Sequence, residues 1–298
     1  MTKLELKEFQ ADLGGVLIGT DTHVLIKSID GLGRPEVRDD DAKRAEADGI
    51  MLGADYYEAR ELRIAAGIRT PGDPAHALDI LAALQEQADD SAIRTVGGSL
   101  QELRMRWPGR PVKILRGRLR LLDPDMGSLV HGWIPLDIRF IAGDPFWHAD
   151  TDQQVVARLT RTWEGGFRAP IVTPVRVGLR GNDAGPPSWV SNAGTRPAYP
   201  IVTLTGPLVS PRVWIVETGA ALRIDGYIPS GVVVEIDTRP LRRTVTRAGA
   251  AASTLLASDS PMDLFCFPPG QSEVRWEAAE YHADARLTLT WRASWKAL

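Results

Sequence analysis

The sequence predicts a mainly β protein of two domains, the first β-rich with one α-helix and the second an antiparallel β-sandwich or barrel. Three observations carry this. Short alternating strands punctuated by Pro and Gly fill the second half, as in residues 192–211, NAGTRPAYPIVTLTGPLVSP, the pattern of sandwiches and barrels. Only one segment has helical spacing together with start signals. And 298 residues exceed one ordinary sandwich yet suffice for two domains with separate cores, placed at 1–150 and at 151–298 including a linker.

In chain order, residues 9–29 read as a hairpin, with Gly14, Gly15 and Gly19 as bends and His23 to Ile26 as the returning strand. Residues 31–48, GLGRPEVRDDDAKRAEAD, form a polar loop of a length that is often functional or ordered by a partner. Strands at 49–52 and 56–68 follow and are expected to pair with each other. The helix has Asp73 as N-cap, Pro74 at its first position and Leu78, Leu81 and Leu84 facing the sheet. Strands at 102–107, 112–122 and 133–142 complete the first domain, and DPFWHAD (144–150) closes it as a turn. Residues 151–167 read as a strand and connection leading to a second domain that starts near Arg168. Its strands are read at 171–179, 189–191, 201–204, 213–217, 221–225, 232–237, 263–267, 273–278 and 286–295. In the last of these Leu287, Leu289, Trp291, Ala293 and Trp295 share one face.

Composition excludes several classes. Hydrophobic residues at 44% and charged residues at 24% are globular, not disordered. A net charge of -3 gives no global field toward nucleic acid or an anionic membrane. The start, MTKLELKEFQADL, lacks the apolar core of a signal peptide, and no segment is long and apolar enough to span a bilayer. The single cysteine, Cys266, forbids an intrachain disulfide, fits synthesis in a reducing cytoplasm, and is expected to be buried in a strand between Phe265 and Phe267.

No catalytic, cofactor or metal constellation emerges. His23, His76, His131, His148 and His282 lack the close pairing of a zinc site. Asp39-Asp40-Asp41 hints at calcium, but Lys43 stands where an EF-hand needs its third oxygen ligand. Gly31-Leu32-Gly33 has no βαβ unit around it and is a turn. Hydrolase elbows, phosphate loops and paired-histidine protease motifs are missing, and a glycosidase carboxylate pair has no specific support. One asymmetry remains: Arg94, Arg104, Arg106, Arg110, Lys113, Arg116, Arg118 and Arg120 face only Glu102 within residues 94–120. The plain reading is a solvated face or ion pairs to a neighbouring subunit; nucleic-acid contact lacks stacking aromatics apart from Trp107. Of the tryptophans, Trp291 and Trp295 read as core, Trp147 stays open, and Trp163 and Trp189, if exposed, are candidate sugar-stacking residues.

Taken in order, several segments resemble the distal tail protein family of bacteriophages with long, non-contractile tails, the minor tail protein type of actinobacterial phages. They are SIDGLGRPEVR (28–38), DGIMLGADYYEAREL (48–62), RFIAGDPFWHAD (139–150), SNAGTRPAYPIVTLTGPLVSPRVWIVETG (191–219), VVVEIDT (232–238) and FCFPPGQSEV (265–274). The resemblance implies a ring-forming first domain, a galectin-like sandwich facing outward, and a homo-hexameric hub at the distal end of the virion tail. One ring face would meet the tail tube protein and the other a tail-tip fibre or baseplate hub protein. DNA would pass the lumen without specific binding, and no membrane, metal or cofactor is implied. The His-x-Asn-x-Arg and Trp-Gly-x-Glu patterns of sugar-binding galectins are missing, so galectin-type carbohydrate binding does not carry over. A cyclic head-to-tail interface then sets Asp39, Asp40 and Asp41 of one subunit against Arg104, Arg106, Arg116, Arg118 and Arg120 of the next. The alternative function is a carbohydrate-binding module touching the host wall.

Overall fold

The computed structural model describes residues 3–159, 188–240, 242–280 and 282–298. The chain divides into two compact units, residues 1–150 with 295–298, and residues 151–294.

Unit 1 is built on a nine-stranded sheet. β1 (Gln10–Leu13) and β2 (Val16–Gly19) form a tight hairpin closed by Gly14 and Gly15, both at positive φ. β3 (Val24–Asp30) does not return onto that hairpin as the sequence suggests. Gly19 turns the chain away at φ 116, where an added Cβ would meet the Phe9 carbonyl oxygen at 2.2 Å. Residues 31–59 are not a loop followed by a strand pair but a two-stranded arm: β4 (Val37–Arg38) pairs with β7 (Tyr56–Tyr57), and β5 (Ala42–Lys43) with β6 (Ile50–Met51). β8 (Arg60–Arg69) therefore pairs not with 49–52 but with β3, Val24 opposite Ile68.

The helix α1 (Pro74–Ala88) starts as expected, the Asp73 carboxylate accepting from the His76 amide at 3.0 Å. It buries Ala77, Leu81 and Leu84, while Leu78 is 41% exposed. At 3.6 residues per turn, position 77 shares the face of 81 and 84, and position 78 falls beside it. One further helical turn, α2 (Ser91–Arg94), leads to β9 (Gln101–Arg106), β10 (Lys113–Pro124) and β11 (Trp133–Ala142). The sheet order is β2-β1-β9-β10-β11-β8-β3. β10 pairs with β9 through its first half and with β11 through its second, with a register shift between Leu119 and Leu121. β11 alternates cleanly, burying Ile134, Leu136, Ile138 and Phe140 toward α1 and β8. Residues 147–149 are not part of a turn: β12 (Trp147–Ala149) pairs with β10, and Trp147 is fully buried.

Unit 2 is a sandwich. A six-stranded sheet runs β13-β24-β15-β20-β21-β22, a four-stranded sheet β14-β23-β17-β18, and β16 with β19 adds a short ladder. The strands are β13 (Gln153–Arg158), β14 (Ser188–Asn192), β15 (Ile201–Thr205), β16 (Leu208–Val209), β17 (Arg212–Ile215), β18 (Ala221–Arg223), β19 (Tyr227–Ile228), β20 (Val233–Asp237), β21 (Thr244–Arg247), β22 (Ala250–Ala251), β23 (Gly270–Glu277) and β24 (Arg286–Trp291). Leu204, Val234, Leu287 and Leu289 of the larger sheet share one core with Val190, Val213, Val274 and Trp276 of the smaller.

Two expectations for this unit are corrected. Residues 263–267 are not a strand. Pro261, Pro268 and Pro269 flank the stretch and deny it ladder donors; Phe265 and Phe267 reach the core, but Cys266 is only partly buried. The last strand also stops at Trp291. Ala293 is buried and still belongs to unit 2, while Trp295 belongs with unit 1, where β25 (Ser294–Trp295) pairs with β12. The expected strand at 171–179, the domain start near Arg168, and Trp163 lie outside the described residues. Among the described residues no helix is long and apolar enough to cross a membrane.

Candidate functional site

The arm is the feature of unit 1 with least internal support. Its side chains are almost all exposed, among them Ile50 at 51%, Met51 at 61%, Leu52 at 81% and Tyr56 at 56%. A two-stranded hairpin alone is marginal in water, and clustered exposed apolar residues mark a contact surface. Local chemistry shapes it all the same. The Asp41 carboxylate accepts from the Gly53 amide at 2.8 Å, and an added Cβ on Gly53 would meet the Asp40 carbonyl oxygen at 2.1 Å. Arg34 and Arg38 stack over Tyr57 and Tyr56 at 5.4 and 5.8 Å.

The root of the arm, by contrast, is fixed by one buried cation. Arg60, 1% exposed, donates through Nε to the Pro145 carbonyl and through Nη1 to the Gly31 and Gly33 carbonyls, each at 2.7 Å. Its planar fork ties both strands of the root to the turn before β12. Burial pushes its pKa below the ordinary arginine value, and its guanidinium sits 5.8 Å from the Trp147 ring. Gly31 is required here: it sits at φ +87, and a Cβ would come 1.9 Å from the Glu61 carbonyl oxygen.

The five arginines expected at the interface do lie on one sheet region, but not as an open basic surface. Arg104 faces Asp12 across the β1–β9 ladder and is 6% exposed. Its guanidinium donates to Asp12 and to both carboxylate oxygens of Asp150 at 2.9–3.0 Å. Lys3 reaches the same Asp150 at 2.8 Å. Burial alone would raise the Asp150 pKa, but the hydrogen bonds from Arg104 and Lys3 overcome that and hold it below the usual carboxylate range. Arg106 donates to the Leu6 carbonyl at 2.7 Å, Arg116 pairs with Glu102 at 3.0 Å, and Arg118 donates to the Ser99 and Val96 carbonyls. Arg120 is exposed near the bulge of β10. The acidic partners missed by local reading, Asp12 and Asp150, are distant in sequence and become neighbours only through strand register. Asp39, Asp40 and Asp41 are all exposed on the arm.

A third feature has no strong sequence signal. β2 and β3 end the sheet path at opposite sides, and a groove of about 380 Å³ lies between them. Its walls include Phe9, Leu25, Ile29, Leu32, Met105 and Trp107. The Trp107 Nε1 donor there is buried without a partner. Of the histidines, His23 and His76 pack edge to face and His148 bonds Asp144 at 2.8 Å; among the described residues no three His, Cys, Asp or Glu side chains are grouped to hold a metal.

No protein-family model and no curated protein matches the sequence. Solved structures do. The chain is similar to the Dit protein (gp 19.1) of phage SPP1, described as a paradigm of the hub adsorption apparatus in phages infecting Gram-positive bacteria, with a TM-score of 0.62 at 12% identity over 97% of this chain and 99% of that one. It is also similar to a chain of the phage P2 baseplate in its activated conformation, seen with Ca and with Sr, at a TM-score of 0.52 and 11% identity over 94% of this chain and 97% of that one. With both units included in a match that runs nearly end to end, the chain has the fold of a phage distal tail (Dit) protein.

Proposed function

We propose that the chain is a structural, non-enzymatic hub of a phage tail tip. Six copies close into a ring at the distal end of the virion tail, after synthesis in the host cytoplasm. The ring joins the tail tube protein to the tail-tip fibre or baseplate protein and leaves a channel through which DNA passes without specific binding. The observation that carries this reading is the likeness to SPP1 Dit across 97% of the chain.

Unit 1 drives closure in this reading. Its arm projects apolar and acidic side chains that have no cover within the chain, and a head-to-tail cyclic contact supplies that cover in every subunit. The Asp39–Asp40–Asp41 edge of one subunit meets the arginine side of the next. Arg120 and the outer parts of Arg116 and Arg118 make that contact, because Arg104 is enclosed with Asp12 and Asp150.

Negative-stain imaging of the purified chain tests the ring, with closed particles around a central hole as the expected result. Light scattering should give a hexamer that loosens as salt rises. Replacing Asp39, Asp40 and Asp41 together by Asn should yield monomer with an unchanged far-UV spectrum. A wild-type chain that stays monomeric at the concentrations of imaging overturns the reading.

A further inference from the structure

The outer face of the four-stranded sheet in unit 2 has a composition that the hub role does not use. Inward residues of its strands fill the sandwich core, so the alternate residues point outward. Strand register places them in rows: Trp189 opposite Glu273, Trp214 opposite Arg275 and Ala221, and Arg212 opposite Glu277 and Arg223. Trp189 is 55% exposed on β14, which ends this sheet among the described residues. The Arg212 guanidinium stacks over the Trp214 ring at 5.2 Å. Where Arg212 and Arg223 end the face, a depression of about 720 Å³ opens, bordered also by Thr218, Asp259, Ser260 and Leu264.

We infer that this face binds a neutral, extended polysaccharide. The chemistry of the rows selects that ligand. A pyranose presents an apolar C–H face that stacks on an indole, and a rim of hydroxyls that both donate and accept. Trp189 supplies the indole. Arg275 beside Glu273, Arg212 beside Glu277, and Arg223 between Asp225 and Asp259 supply donors and acceptors along the face. Because each arginine already has a carboxylate, the face offers no unbalanced positive charge to a nucleic acid or an anionic wall polymer. A protein partner fits less well: apart from Trp189, Trp214 and Ala221 the outward positions of these strands are polar or charged, whereas the core of a protein interface is depleted in charge.

Scale agrees. Trp189 and Arg212 lie two strands and four residues apart, roughly 17 Å by strand spacing and rise, so the site spans several sugar units rather than one. The depression falls within the range of about 300–1,000 Å³ common for ligand sites. This site is separate from the galectin sequence patterns that the chain lacks, and it does not depend on ring formation.

Affinity electrophoresis of the full chain through gels containing neutral galactan, arabinogalactan, mannan or glucan tests the inference, with heparin as the anionic control. At least one neutral polymer should retard the wild type, and heparin should not. Trp189→Ala should weaken the retarding interaction about ten-fold, the order expected for one lost stacking platform, and Arg212→Ala should weaken it as well. Light scattering should be unchanged and melting at most slightly lowered in both variants, since both side chains are at the surface. The inference is overturned if no neutral polymer retards the wild type, if Trp189→Ala is retarded equally, or if heparin alone retards it. Loss of binding to a tail protein in Trp189→Ala, with polysaccharide retardation unaltered, assigns the face to a protein partner and equally overturns it.

Discussion

The two units treat charge in opposite ways. Unit 1 encloses Arg60, Arg104 and Lys113 at 1%, 6% and 4% exposure, together with Asp12. In unit 2 no arginine or lysine is buried among the described residues, and Asp237, tied to Arg239, is its one buried charge. On its four-stranded sheet, Arg212 and Arg223 keep half or nearly half of their side chains in water. A basic cluster in sequence is thus not the same thing as a basic surface. In unit 1 the cations are internal fasteners: Arg60 holds the arm root, Arg104 joins the N-terminal segment to the end of β12, and Lys113 donates to the Ala297 carbonyl at 3.1 Å beneath the Trp295 ring. In unit 2, Arg212 and Arg223 are surface groups, each beside an exposed carboxylate.

Mutation should expose that contrast most strongly at Arg104. Removing it leaves the Asp12 carboxylate enclosed without its cation and Asp150 with Lys3 alone, and breaking a buried pair in this way costs about 3–5 kcal/mol. Arg212→Ala should cost under about 1 kcal/mol, as for exposed ion pairs. Urea unfolding followed by amide exchange, read separately on β9–β10 and β17–β23, distinguishes the two units where a single transition would blend them. Equal losses in both variants would break the comparison.

Acid should sharpen it. Asp150 titrates below the ordinary carboxylate range in the folded chain, so between its folded and unfolded pKa values the unfolded state binds more protons. Its contribution is complete above the unfolded value of about 4 and is lost as pH falls through the depressed folded one. Unit 1 should hold constant stability from neutral pH to about pH 5 and weaken below about pH 4. Asp150→Asn should start less stable and show a shallower acid limb. An acid limb of the same steepness in Asp150→Asn would remove Asp150 as its source.

How far the sequence could be read follows from the same contrast. Elements whose signals are local were legible: the Asp73 cap with Pro74, the alternation of β11, and the alternating strands of the sandwich. What depends on register was not. Nothing near Arg104 announces Asp12 or Asp150, which meet it only because β1 lies beside β9 and β12 beside β10. The arm was hidden for another reason: a hairpin that buries nothing has no hydrophobic pattern, so residues 31–48 read as loop. Leu78 misled because three-residue spacing drifts off a helix face, and Ala77, too small to draw notice, holds the buried position. Trp295 extended the alternation of β24 by sequence alone, although the chain breaks stride at Arg292 and carries it to unit 1.

The smallest expected effect is at Cys266, where unit 2 shows how little of its chemistry responds near neutral pH. The thiol lies between Phe265 and Phe267, both fully buried, yet its residue is only partly covered because the backbone there turns instead of running in a ladder. Burial pushes the thiol pKa up, so the thiolate that reacts is scarcer than in a free cysteine at the same pH. Iodoacetamide should therefore modify the native chain several-fold more slowly than the urea-unfolded chain at pH 8. The native rate should keep climbing at alkaline pH values where the unfolded rate has levelled off. Because partial exposure leaves the sulfur reachable without unfolding, the native rate should not change when Arg104→Ala destabilises unit 1. A native rate equal to that of the unfolded chain would place the thiol in water; a rate that rises with Arg104→Ala would mean that the two units open together, and the contrast between them would no longer hold as two independent stabilities.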